Sequence, residues 1–205
     1  MSFDGWTLFA LFWVVFVTSP GPNAVNCIQN GMNFGFARAL WGVAAMLTQA
    51  ALFLALSALG VSALIAASPT AFFVAKLMGA GLLIWLGVRN WMRAARAIEI
   101  APSSVHIYGR AFAIAAANPK SVAVYLAAVS QFVMPDVPVG QQMWVIVPTA
   151  LSITCLSYAG YTALGAWLGR RELSVIANTA IRRVLAACFI LYGSALGASS
   201  TPVRS

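Results

Sequence analysis

The sequence predicts an all-α polytopic membrane protein, six transmembrane helices in a 3+3 inverted repeat with the first and fourth helices broken. Three observations lead there. Of the 205 residues 61% are hydrophobic and only 8% charged, whereas charged residues make up about a quarter of a soluble domain. Apolar runs near the ~20 residues that a bilayer core demands recur along the whole chain. Basic residues fall in short clusters between those runs, on every second connection, which is a topology signal and not a nucleic-acid footprint despite the net charge of +8.

The elements follow in order. The segment before Trp6, Met1-Ser2-Phe3-Asp4, has no basic n-region, and the apolar run after it leads into Ser19-Pro20-Gly21-Pro22-Asn23 instead of a small-residue cleavage site. It is therefore expected to open the first span, about Trp6 to Ile28, and not a cleavable signal. The second span covers about Ala39 to Ala66. Ser68-Pro69 has the form of an N-cap followed by proline at the first helical position, starting a third span from about Thr70 to Trp91. The fourth runs from about Ala111 to Val133, the fifth from about Met143 to Leu168 and the sixth, the shortest, from about Val184 to Ala198. Residues 1–205 form one integral membrane domain, with three spans in 1–92 and three in 93–205.

Charge sets the orientation. Nine of the 12 Lys and Arg residues fall on one side: Arg38, then Arg89, Arg93, Arg96 and Arg110, then Arg170, Arg171, Arg182 and Arg183. The opposite connections, around 61–69 and 134–142, have none. The basic side is expected to be cytoplasmic, in the inner (plasma) membrane of a bacterial-type cell, with both termini outside. Three spans per half make the second half enter the bilayer in the opposite direction from the first. That is the usual inverted repeat of alternating-access transporters.

Several chemistries are disfavoured. Cys27, Cys155 and Cys188 are scattered without a CxxC pair, which argues against a disulfide framework, a zinc site or a thiol relay. One histidine and four acidic residues make a metal cluster improbable, and no cofactor motif is present. A small-residue spacing occurs at Gly165 and Gly169 and again at Gly193 and Gly197. It permits close helix approach, either inside the bundle or between two copies in a homodimer.

The breaks carry the functional signal. Pro20 and Pro22 have no N–H to donate, so a continuous helix through Thr18–Asn23 is not expected. In hydrocarbon a freed backbone group costs several kcal/mol unless protein, water or substrate satisfies it. The break is thus either a packing kink or the wall of a wet cavity. An inverted repeat requires a counterpart in the fourth span, and Asn118-Pro119-Lys120 supplies one. Beyond the first break Asn23, Asn26 and Asn30 share one helical face, and Asn118, Ser121 and Tyr125 have the same spacing. A single polar stripe more often serves helix–helix hydrogen bonding. Two matching stripes beside matching breaks point to a transport site.

Lys120 lies ten residues beyond Arg110, about 15 Å along a helix. That depth is near the middle of a ~30 Å core, where a lysine costs about 3 kcal/mol or more and is a functional candidate. Lys76, nearer the outer interface, can snorkel and is read as structural. A half-helix starting at Pro22-Asn23 aims free N–H groups at a carboxylate, and Lys120 adds positive charge. Asn23, Asn118 and the released carbonyls accept hydrogen bonds from an ammonium. The expected ligand is a small zwitterion, an amino acid. Thr154, Ser157, Tyr158 and Tyr161 form a further polar face in the fifth span, open to either packing or cavity lining.

At these residues the chain resembles the LysE/RhtB family of amino-acid exporters. The resemblance rests on Ser19-Pro20-Gly21-Pro22-Asn23, on Asn118-Pro119-Lys120, on the glycine-punctuated third span from Lys76 to Gly87, and on Ser130-Gln131-Phe132. It covers nearly the whole chain, with Ser19 in place of the usual threonine and Ser130 in place of the usual proline. It implies a secondary active exporter of small amino acids or close derivatives, driven by the proton gradient, and no enzyme. The expected substrate-binding residues are Ser19, Pro20, Gly21, Pro22, Asn23, Asn26, Asn118, Pro119, Lys120 and Tyr125. Asp4, Glu99, Asp136 and Glu172 all lie outside the spans, so no intramembrane carboxylate offers itself as the proton carrier. Two other readings compete. An inorganic-ion transporter lacks the carboxylate or thiolate ligands such ions prefer. A membrane redox or purely structural protein either lacks paired thiols or gives the lysine no task.

Overall fold

The computed structural model describes residues 2–19, 21–92 and 106–168, with the isolated helical positions Arg183, Ala187, Ile190, Leu191, Ser194 and Ala198. Pro20 lies outside the described residues, as do most of the sixth span, Gly169, Gly193 and Gly197, and the side chains of Lys76, Pro119 and Lys120. The described residues are all-α: α1 (Phe3–Thr18), α2 (Pro22–Ala67), α3 (Pro69–Met92), α4 (Ile107–Ala117), α5 (Pro119–Phe132) and α6 (Val139–Leu168).

The first span is α1 plus the opening arm of α2, divided at Ser19–Gly21. That arm runs past Ile28 to Gly35, whose φ of 72° lies in the left-handed region that only glycine enters at little cost. The chain doubles back there: Cys27 Sγ lies 3.6 Å from Met46 Sδ although nineteen residues separate them. A Cβ placed on Gly42 would lie 2.8 Å from Asn30 Nδ2, which sets the same antiparallel register one turn nearer the bend. The connection thus turns three residues before Arg38, the position the charge pattern marked.

Ser68 serves two helices. Its N–H closes α2 on the Leu64 carbonyl at 3.1 Å, and its Oγ accepts from Thr70 N at 3.2 Å to open α3. The fourth span is likewise two helices, α4 and α5, parted at Asn118. The fifth is α6, longer than the apolar run alone indicated. Buried Gln142 secures its start by accepting from Met134 N and donating to the Met134 and Val137 carbonyls, each at 2.8–2.9 Å. By length and composition, α2 and α6 suffice to cross a membrane.

α2 packs most extensively on α6 and then on α4, while α3 lies on α5 and α1 on α6. The α2–α6 contact is backbone against backbone. A Cβ on Gly165 would overlap the Ile28 carbonyl, and one on Gly31 would overlap the Thr162 carbonyl. Gly165 is therefore used inside the bundle.

Candidate functional site

Both breaks follow from backbone chemistry. Pro22 has no N–H for the Thr18 carbonyl, and the Tyr161 hydroxyl from α6 donates to that carbonyl instead, at 2.6 Å. Pro119 likewise leaves the Ala115 carbonyl without its helical donor, and Asn118 N takes its place at 3.4 Å. Each half-helix then restarts behind an extended residue, Gly21 or Asn118.

The restarts meet. Asn118 Nδ2 donates to Asn23 Oδ1 at 3.5 Å, and Asn23 Nδ2 donates to the Tyr158 hydroxyl at 3.3 Å, joining three spans through one buried amide. Around this chain lies a cavity lined by Phe16, Ser19, Gly21, Asn23, Asn118 and Ser121, with Tyr158 and Ala24 completing the wall. Its volume is about 10 Å³, the room of one water molecule. Even the smallest amino acid enters only if the walls part, so this conformation is closed. The 3.5 Å amide contact, at the long limit for a hydrogen bond, is the weakest seam in the wall.

Of the expected site residues, Ser19, Gly21, Asn23 and Asn118 come together at the cavity. Pro22 opens α2 with its ring exposed and outside the lining. Asn26 lies one turn further along α2, bonded to Asn30 at 2.7 Å and buried with it. Tyr125 is also buried, but its ring stands edge-on to Trp13 and Phe16 at 5.2 and 5.8 Å, one turn beyond the cavity. Lys120 is the second residue of α5, in the turn that faces the break; its side chain and that of Pro119, with all of Pro20, lie outside the described residues.

The polar face of the fifth span braces the first. Thr154 accepts from Trp13 Nε1 at 2.9 Å, Tyr158 accepts from Asn23, and Tyr161 donates to the break. Sequence reasoning singled out this face without deciding its role. It did not find Phe16, Ala24 or Gln49. Gln49 is only 1% exposed and its Nε2 has no partner among the described residues. A lone glutamine in an apolar helix is the signal that marked it.

The two sides of the cavity differ. Toward the start of α1 lie Phe9, Phe12, Trp13 and Phe16, meeting Tyr125 and Phe132 at ring separations of 5.2–5.8 Å, and Phe53 meets Tyr125 in turn at 5.7 Å. Toward Gly35 lie the buried amides of Asn26, Gln29 and Asn30, and the Nδ2 of Asn26 and Nε2 of Gln29 have no partner among the described residues.

The sequence profile of the LysE type translocators matches residues 14–200. The chain belongs to that family. Among relatives of this translocator, an uncharacterized membrane protein of Vibrio cholerae is 32% identical over 96% of this chain and 98% of its own length. A homoserine/homoserine lactone efflux protein of Salmonella typhimurium is 29% identical over 97% of this chain and 98% of its own. A leucine efflux protein of an Enterobacter species is 28% identical over 76% of each chain. No solved structure matches. With these matches and its apolar spans, the translocator is an integral membrane protein.

Proposed function

We infer that the chain is a secondary active transporter that exports small amino acids or close derivatives from the cytoplasm, coupled to the proton gradient. The observation that carries this reading is the meeting of the two broken spans, Asn118 on Asn23, around one closed polar cavity. Family membership and the efflux proteins among its relatives support the same direction. Substrate binds where the half-helices restart, its carboxylate at the α2 N-terminus and Lys120, its ammonium at Asn23, Asn118 and the released carbonyls.

The halves act as a 3+3 inverted repeat. In support, α1 packs on α6 just as α4 packs on α2, the relation expected if α1 with its partner arm corresponds to α4 with α5. Rocking of the two halves about the cavity alternates access. Both termini lie outside and the basic connections inside the inner membrane. The substrate leaves chemically unchanged, so the protein is not an enzyme.

The test is to overproduce the protein in bacterial cells and measure the amino acids that collect in the medium. The reading expects one or a few neutral amino acids to rise several-fold over cells with an empty vector. Unchanged medium, with the protein present in the membrane, contradicts it.

A further inference from the structure

Gln49 lies at the level of the cavity, outside the wall of its closed form. Two contacts fix its level. Met46, three residues before it, touches Cys27. Phe53, four residues after it, meets Tyr125 edge-on at 5.7 Å. Positions 46, 49 and 53 share one face of the helix. One turn from Cys27 on the opposing arm is Asn23, and one turn from Tyr125 on α5 is Ser121; both line the cavity. Gln49 is therefore level with Asn23 and Ser121, between two packed layers.

Its chemistry is unusual for that place. The residue is 1% exposed and Nε2 has no partner among the described residues. A buried amide donor left unpaired costs about 1–3 kcal/mol, a cost this fold retains in the closed conformation. Across the seam Asn118 donates to Asn23 and Asn23 to Tyr158, whereas Gln49 has an unused donor at the same depth. Opening the seam for a ligand brings an acceptor within its reach.

We propose that Gln49 sets substrate choice by donating to an oxygen on the side chain of the amino acid, so that hydroxyl-bearing neutral amino acids are preferred to purely aliphatic ones. The inference rests on the export reading. An aliphatic side chain leaves the Gln49 donor unpaired in the filled site, and a site built to hydrogen-bond a substrate hydroxyl discriminates strongly against an analogue lacking it.

Homoserine and leucine make a suitable probe pair, one with a terminal hydroxyl and one without. Purified full-length protein in liposomes is assayed for both, as wild type, Gln49→Leu and Gln49→Met, the last retaining length without the donor. The wild type is expected to favour homoserine in kcat/KM at least tenfold. Both variants are expected to erase most of that preference, through a higher KM for homoserine, with leucine transport held or improved. An unchanged ratio, or equal losses for both substrates, overturns the role of Gln49 and leaves export standing. A wild type that moves neither compound overturns this inference, whereas the export reading falls only if the medium of overproducing cells is also unchanged.

Discussion

The two flanks of the cavity, one along α1 and one toward Gly35, are built from opposite materials. On the α1 side, Trp13 is fully buried, edge-on to Tyr125 and Phe16, and its only polar atom is bonded to Thr154. On the Gly35 side, three buried amides lie among Cys27 and Ile28, and two of them have donors with no partner among the described residues. Close aromatic packing excludes water and holds its shape. Buried amides with unmet donors gain by hydration. The contrast teaches which flank is the seal and which opens with little cost: a dry plug lies along α1, and a path ready to take up water lies toward Gly35. In the orientation we propose, the plug faces outward and the amide path faces the cytoplasm, the asymmetry that an exporter loading there needs.

The comparison can be broken most forcefully at Trp13. Trp13→Ala removes a large side chain and a hydrogen bond from the plug, a loss of about 3–5 kcal/mol by the behaviour of buried aromatics. Asn26→Ala on the other flank is expected to cost less, about 1–3 kcal/mol, because it leaves the buried Asn30 Nδ2 without its acceptor while removing one unpaired donor. Thermal unfolding of the two purified variants in detergent checks this, and equal shifts would remove the distinction between the flanks.

Accessibility sharpens the same point with a smaller effect. With Cys27, Cys155 and Cys188 replaced by alanine, Asn30→Cys is expected to react at least tenfold faster than Phe12→Cys with a membrane-impermeant thiol reagent applied to inside-out vesicles. The reverse order would place the opening on the aromatic flank.

Much of this arrangement was legible in the sequence, and the reasons are specific. Pro22 and Pro119 announce the breaks because each removes the N–H that the carbonyl four residues earlier needs, although Pro148 does the same inside α6 without ending it. Ser68-Pro69 announces the α2–α3 junction because the cap is local. Gly35 was not legible as the turn. A single glycine among Asn33, Phe34 and Phe36 has no periodic signal, and only its positive φ reveals the reversal. Tyr125 and Gln49 show the limit of stripes. Spacing placed Tyr125 with Asn118, but the register of α5 against α1 puts its ring among aromatics. Gln49 belongs to no stripe, and its position depends on two contacts distant in sequence, to Cys27 through Met46 and to Tyr125 through Phe53.

The central claim is that the paired breaks make one amino-acid site with Lys120 as its positive charge. Lys120→Ala tests it most directly, in cells that overproduce the protein and whose medium is assayed for the exported amino acid. The account predicts wild-type amounts of protein in the membrane and export reduced to the level of cells without it. Export at the wild-type rate from the alanine variant would contradict the claim.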